Sequence, residues 1–121
     1  MRLYDLATAR SGDKGNHANI GVLARTPQAY HFLRHYLTAE RVAHYFSALH
    51  PQRVERYEAP NVLGLNFVLY DVLAGGAARS LRLDSQGKAL AGALLEMEIP
   101  DELVTLHLSG RASETAAQAK C

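Results

Sequence analysis

The chain has 121 residues, 48% of them hydrophobic and 21% charged, a single-domain length and composition that can bury a core without a covalent staple. Thirteen basic and twelve acidic residues are spread evenly to a net charge of +1, which argues against the clustered positive field that non-specific nucleic-acid binding needs. Cys121 is the only cysteine, and no apolar run reaches the ~18 residues of a membrane span or the core of a signal peptide, so a reducing, cytoplasmic setting is expected.

The first run, Arg2 to Ala9, reads as a strand, either buried on both faces or frayed at an edge. A polar, glycine-containing loop follows at Arg10–Asn16. Asn19 to Ala24 reads as a second strand, with Ile20, Val22 and Ala24 on one face and Leu23 on the other. Thr26-Pro27 is a helix start, because threonine caps free N–H groups and proline suits the first helical position. Tyr30, Leu33 and Leu37 then mark its apolar face. Thr38 opens a second helix, with Val42, Tyr45, Phe46 and Leu49 at amphipathic spacing, and Pro51 ends it.

Gln52 to Glu58 is a polar strand suited to a sheet edge. Pro60-Asn61 starts the next element. Val62, Leu65, Leu69, Val72 and Leu73 fit a helix stopped by Gly75-Gly76. A buried strand fits the same residues, but the length favours helix. Ala78 to Leu83 and Lys88 to Ile99 read as strands joined by Asp84-Ser85-Gln86-Gly87, with Leu95, Met97 and Ile99 alternating against Glu96 and Glu98. Leu103 to Leu108 reads as a last short strand, and the polar tail from Ser109 to Cys121 as weakly ordered. The order β-β-α-α-β-α-β-β predicts an α+β, two-layer sandwich, ferredoxin-like, with helices on one face of a mostly antiparallel sheet. Residues 1–100 form the domain and 101–121 a partly flexible extension.

The candidate ligand-binding set is Arg10, Ser11, Gly12, Asp13, Lys14, Gly15, Asn16, Asn19 and Asn66. Gly12 and Gly15 free the backbone to approach a ligand, and consecutive N–H groups can form an anion-binding nest. Lys14 adds a mobile charge, partly cancelled by Asp13, while Ser11, Asn16 and Asn19 add neutral donors and acceptors. Such a site suits a carboxylate, a phosphate or a thioester carbonyl. The same composition also makes a structural turn. The spacing is not that of a Walker loop, and the segment opens into a strand rather than a helix. His17 is an acid–base candidate inside the loop. His31 and His35, at i and i+4, lack further metal ligands and the intervening glutamate of a metalloprotease helix. Ser11 has only His17 near it and no G-x-S-x-G around it. Asn66 interrupts an apolar run, either to reach the loop or to satisfy backbone groups. No catalytic set, metal or cofactor is identified.

Ala9-Arg10-Ser11-Gly12-Asp13-Lys14-Gly15-Asn16, followed by Ala18-Asn19-Ile20-Gly21-Val22, resembles the C-terminal domain of the acyclic terpene utilisation (AtuA-like) family. Leu37-Thr38-Ala39-Glu40-Arg41-Val42, Asn61 with Leu65-Asn66-Phe67-Val68-Leu69, and Arg79-Ser80-Leu81-Arg82-Leu83-Asp84 with Gln86-Gly87-Lys88 are similar to it too, in the same order over residues 1–99. The resemblance implies a ferredoxin-like domain associated with bacterial breakdown of acyclic terpenes and branched acids as coenzyme A thioesters. It implies an accessory or ligand-binding role, as a homo-oligomer or with an AtuA-like large subunit, toward an acyl-CoA or another anionic small molecule. The alternative is a small hydratase or hydrolase acting on an acyl-CoA thioester. There Lys14 and the loop amides would stabilise an oxyanion, with Asp13 or His17 as acid or base.

Overall fold

The computed structural model describes residues 1–72 and 88–106, and only the backbone at positions 13, 14, 88 and 89. A 3-10 turn at Leu3–Asp5 precedes β1 (Ala7–Lys14), which pairs antiparallel with β2 (His17–Ala24). The expected loop at 10–16 is therefore a correction: the pairing runs unbroken from Ala7↔Ala24 to Lys14↔His17. Only Gly15 and Asn16 form the turn. Gly15 has φ 64, the positive first-position angle of a tight II′ hairpin turn, which glycine adopts without strain. The first strand, expected over Arg2–Ala9, begins at Ala7 because Leu3–Asp5 turns the chain first.

Thr26 caps α1 (Pro27–Tyr36), its hydroxyl accepting the Ala29 N–H at 3.0 Å. Thr38 caps α2 (Ala39–Tyr45) in the same way through Arg41 N–H at 3.1 Å. Tyr30, Leu33, Leu37, Val42 and Phe46 are buried, as their spacing predicted, while Tyr45 is exposed.

β3 (Val54–Ala59) and β4 (Gly64–Leu69) complete a four-stranded antiparallel sheet in the order β1-β2-β4-β3. β3 lies at an edge, as its polarity predicted. The helix expected from Val62 is a second correction. After one 3-10 turn at Pro60–Val62, Leu63 adopts φ 57, and the chain runs extended between β2 and β3. Leu65, Phe67 and Leu69 are buried on one face, and the period is two.

The segment expected as a strand over Lys88–Ile99 is helical in its first part, α3 (Lys88–Leu95). Its run of Ala, Leu and Gly has no β-branched residue, and alanine and leucine favour helix. The alternation holds only beyond it: Met97 and Ile99 are buried, Glu96 and Glu98 exposed. This stretch lies along the N-terminus, with Leu3 N–H donating to Met97 O at 2.9 Å and Ile99 N–H to Met1 O at 2.7 Å. Residues 101–106, expected to enter a strand at Leu103, are helical. Proline at position 100 sets φ for a helical first turn, and Val104 N–H bonds back to Pro100 O. The strand expected at Ala78–Leu83, its turn, and the tail from Ser109 lie outside the described residues.

The helices pack on one sheet face, around Ala7, Ile20, Val22, Leu33, Phe67 and Leu94. Arg56 ties the layers together. Its guanidinium donates to the carbonyls of Arg34 (2.7 Å) and Leu37 (3.1 Å) at the end of α1, and to Glu58 (2.9 Å). The architecture is the expected two-layer, ferredoxin-like α+β sandwich. Among the described residues no helix is long and apolar enough to cross a membrane.

Candidate functional site

The opposite face of the sheet carries none of the described helices, and strand alternation puts much of the polar set there. The register aligns two rows across it, Arg10, Gly21, Asn66, Tyr57 and then Gly12, Asn19, Val68, Glu55; beyond them the His17 ring meets Tyr70, whose N–H donates to Arg53 O at 2.9 Å. Arg10, Asn19 and Tyr57 are exposed, and Gly21, Asn66 and Val68 half-buried.

Gly12 and Gly21 floor the β1–β2 part of this face. Glycine weakens a strand interior by roughly 0.5–1 kcal/mol relative to alanine. Among the described residues neither position shows a packing reason for it. A Cβ built on Gly12 would meet only Asn19 Oδ1 at 3.7 Å, and one on Gly21 only Asn66 Oδ1 at 3.8 Å and Arg10 O at 4.0 Å. Gly64 differs, since a Cβ there would lie 3.1 Å from Leu23 Cδ2. A bare strand position without a packing reason marks a place where something else approaches the backbone. Beside this floor Arg10 makes no side-chain ion pair or hydrogen bond among the described residues, and Asn19 Nδ2 donates to Asn66 Oδ1 at 3.2 Å. Thr8, Ala9, Arg10, Gly21 and Leu23 line a cavity of about 470 Å³ here.

A connected polar group occupies the rest of the face. Asp71, at φ 62, donates its N–H to His17 Nδ1 at 3.0 Å, so the neutral ring carries its proton on Nε2. The His17 ring meets Tyr70 edge-on, with centroids 4.8 Å apart. Tyr70 and Tyr57 both donate hydroxyls to Glu55 Oε1, at 2.6 and 2.9 Å. The hydrogen bond from Tyr70, then that from Tyr57, holds the Glu55 carboxyl below its usual range. A carboxyl lowered in this way stabilises the fold above the unfolded pKa, and the contribution disappears as pH falls through the folded one. Tyr70→Phe is expected to move the Glu55 midpoint upward, read from its ¹³C carboxyl shift in a pH titration. An unchanged midpoint would mean that the Tyr70 hydroxyl does not govern this carboxyl.

Of the expected set, Arg10, Gly12, Asn19 and Asn66 meet on the open face, and Gly15 and Asn16 form the exposed turn at its end. Asp13 and Lys14 end β1, paired with Ala18 and His17. Ser11 points the other way, its Oγ accepting Ala91 N–H of α3 at 3.0 Å. Ser11 and His17 thus lie on opposite faces and do not form a nucleophile–base pair. His31 and His35 stack with centroids 5.0 Å apart, and no cluster of three metal-ligating side chains occurs among the described residues. Sequence reasoning missed Arg53, Glu55, Tyr57 and Tyr70. The alternation of β3 held the signal, but reading β4 as a helix removed the strand beside it.

No curated protein and no solved structure matches this chain. The family model of the AtuA ferredoxin-like domain matches residues 1–100. Its span takes in the four strands described, the hairpin with its glycine floor, and α1 to α3. The chain belongs to the AtuA ferredoxin-like domain family.

Proposed function

We propose that this domain is a cytoplasmic, non-catalytic binding module of bacterial coenzyme A-linked catabolism of acyclic terpenes or branched acids. It holds an acyl-CoA or related anionic ligand on the open sheet face, as an oligomer or beside an AtuA-like large subunit. The observation that carries the reading is the floor of Gly12 and Gly21 beside the Arg10 guanidinium, which has no partner among the described residues. The glycines weaken the strands, and the arginine contributes no described contact to the fold. Both are explained by an occupant with negative charge that comes close to the backbone.

The test is thermal unfolding of wild type, Arg10→Ala and Gly21→Ala with free coenzyme A, branched acyl thioesters and simple anions. A ligand at about 100 times its dissociation constant stabilises by ~2.7 kcal/mol, which raises Tm by roughly 10 °C in a small domain. Wild type should show that rise with a thioester, and Arg10→Ala should lose most of it. Without ligand, Gly21→Ala should be as stable as wild type or more so, by roughly 0.5–1 kcal/mol. A thioester shift that survives Arg10→Ala unchanged would move the site away from this face.

A further inference from the structure

The hydrogen-bonding state of the Asn19–Asn66 pair narrows the ligand class. Each carboxamide has one carbonyl oxygen and one NH₂ group. Their mutual bond, 3.2 Å from Asn19 Nδ2 to Asn66 Oδ1, spends one donor and one acceptor. The Asn19 oxygen and the Asn66 NH₂ then have no other described partner. Exchanging the two roles would again leave one acceptor group and one donor group, the Asn66 oxygen and the Asn19 NH₂. The Asn19 oxygen lies over Gly12, 3.7 Å from where a Cβ would stand. On this half-open face the pair therefore offers one acceptor and one donor side by side.

A carboxylate or thioester carbonyl only accepts, and an ammonium only donates. A secondary amide does both, through an N–H and a C=O on neighbouring atoms. Arg10 stands two strands from Asn66, with bare Gly21 between them in the same row, about 9–10 Å from Cα to Cα at normal strand spacing. Exposed Leu23 and Thr8 continue the cavity on the other side of Arg10. Across this short span the face presents an apolar wall, a cation unpaired among the described residues and an amide-matching pair.

Resting on the reading of this face as a ligand site, we infer that it selects anionic acyl compounds that carry a secondary amide, lying flat over Gly21. The anion pairs with Arg10, the amide bridges Asn19 and Asn66, and an alkyl part lies against Leu23. Coenzyme A thioesters meet this requirement through the amides of their pantetheine arm. Simple fatty acids do not.

Isothermal titration with three small probes tests the inference: N-butanoylglycine, with carboxylate and amide; heptanoate, of equal chain length without the amide; and N-ethylbutanamide, without the carboxylate. N-butanoylglycine should bind wild type at least tenfold more tightly than heptanoate. Asn19→Ala and Asn66→Ser should each reduce its affinity to the heptanoate level, while heptanoate itself still binds and reports an intact fold. Arg10→Ala should weaken both acids. Equal affinity of N-butanoylglycine and heptanoate for wild type would overturn the amide selection and leave the anion site standing. A failure of all three probes and of coenzyme A thioesters to bind would remove the ligand reading of the face as well.

Discussion

Replacing Phe67 with alanine is expected to lower the unfolding free energy by about 3–5 kcal/mol, the usual cost of deleting a fully buried aromatic ring. Phe67 is 0% exposed in the inner strand β4, where it pairs with Ile20 of β2 and Arg56 of β3. Its ring belongs to the one core shared by the sheet and the helices. The adjacent Asn66 makes a sharp control. It lies on the other face with one exposed side-chain hydrogen bond, so Asn66→Ala should cost about 1 kcal/mol or less. Urea denaturation of both variants reads the difference directly. Similar losses would contradict the strand alternation that separates these neighbours.

The second large effect is expected at Arg56. Its guanidinium serves two carbonyls at the C-terminal end of α1 and one carboxylate on its own strand, with the side chain 19% exposed. Cations favour a helix C-terminus, and hydrogen bonds to a charged group contribute more than neutral ones. Arg56→Ala should therefore lower stability by about 2–3 kcal/mol. Arg56→Lys should recover only part of it, because one ammonium does not reproduce the planar fork whose Nη1 serves Arg34 O and Leu37 O while Nη2 serves Glu58. Full recovery by lysine would make the interaction one of charge alone.

The helix starts at Thr26 and Thr38 were legible in the sequence because capping is local: a hydroxyl three residues before a free N–H needs no tertiary context. β2 was legible because it buries one face and exposes the other. β4 was not. Leu65 and Leu69 fit a helical spacing as well as a strand, and only the partners on both sides decide that Phe67 goes in and Asn66 stays out. α3 was misread in the opposite direction. Glu96, Met97, Glu98 and Ile99 alternate truly, and that pattern was extended backward over the Ala-Leu-Gly stretch before it.

The site was half legible for a related reason. Arg10 through Lys14 has no large apolar side chain to reveal a strand, so an edge strand with one open face read as a loop. The polar residues stood out, but their division between faces was hidden. Ser11 works for the helix layer, and Arg10 and Gly12 serve the open face. The Asn19–Asn66 bond needed the β2–β4 register, which no local pattern contains.

Under the proposed function the working surface is the open sheet face and not the cavity of about 480 Å³ beside Tyr36, Arg41, His44 and Met97. Amide-resolved ¹H–¹⁵N NMR during titration with a branched acyl-CoA thioester tests it most directly. Shifts are expected at Arg10, Gly12, Asn19, Gly21 and Asn66, with Arg41, His44 and Met97 unmoved. Shifts gathered around Arg41 and Met97, with the glycine floor silent, would contradict it.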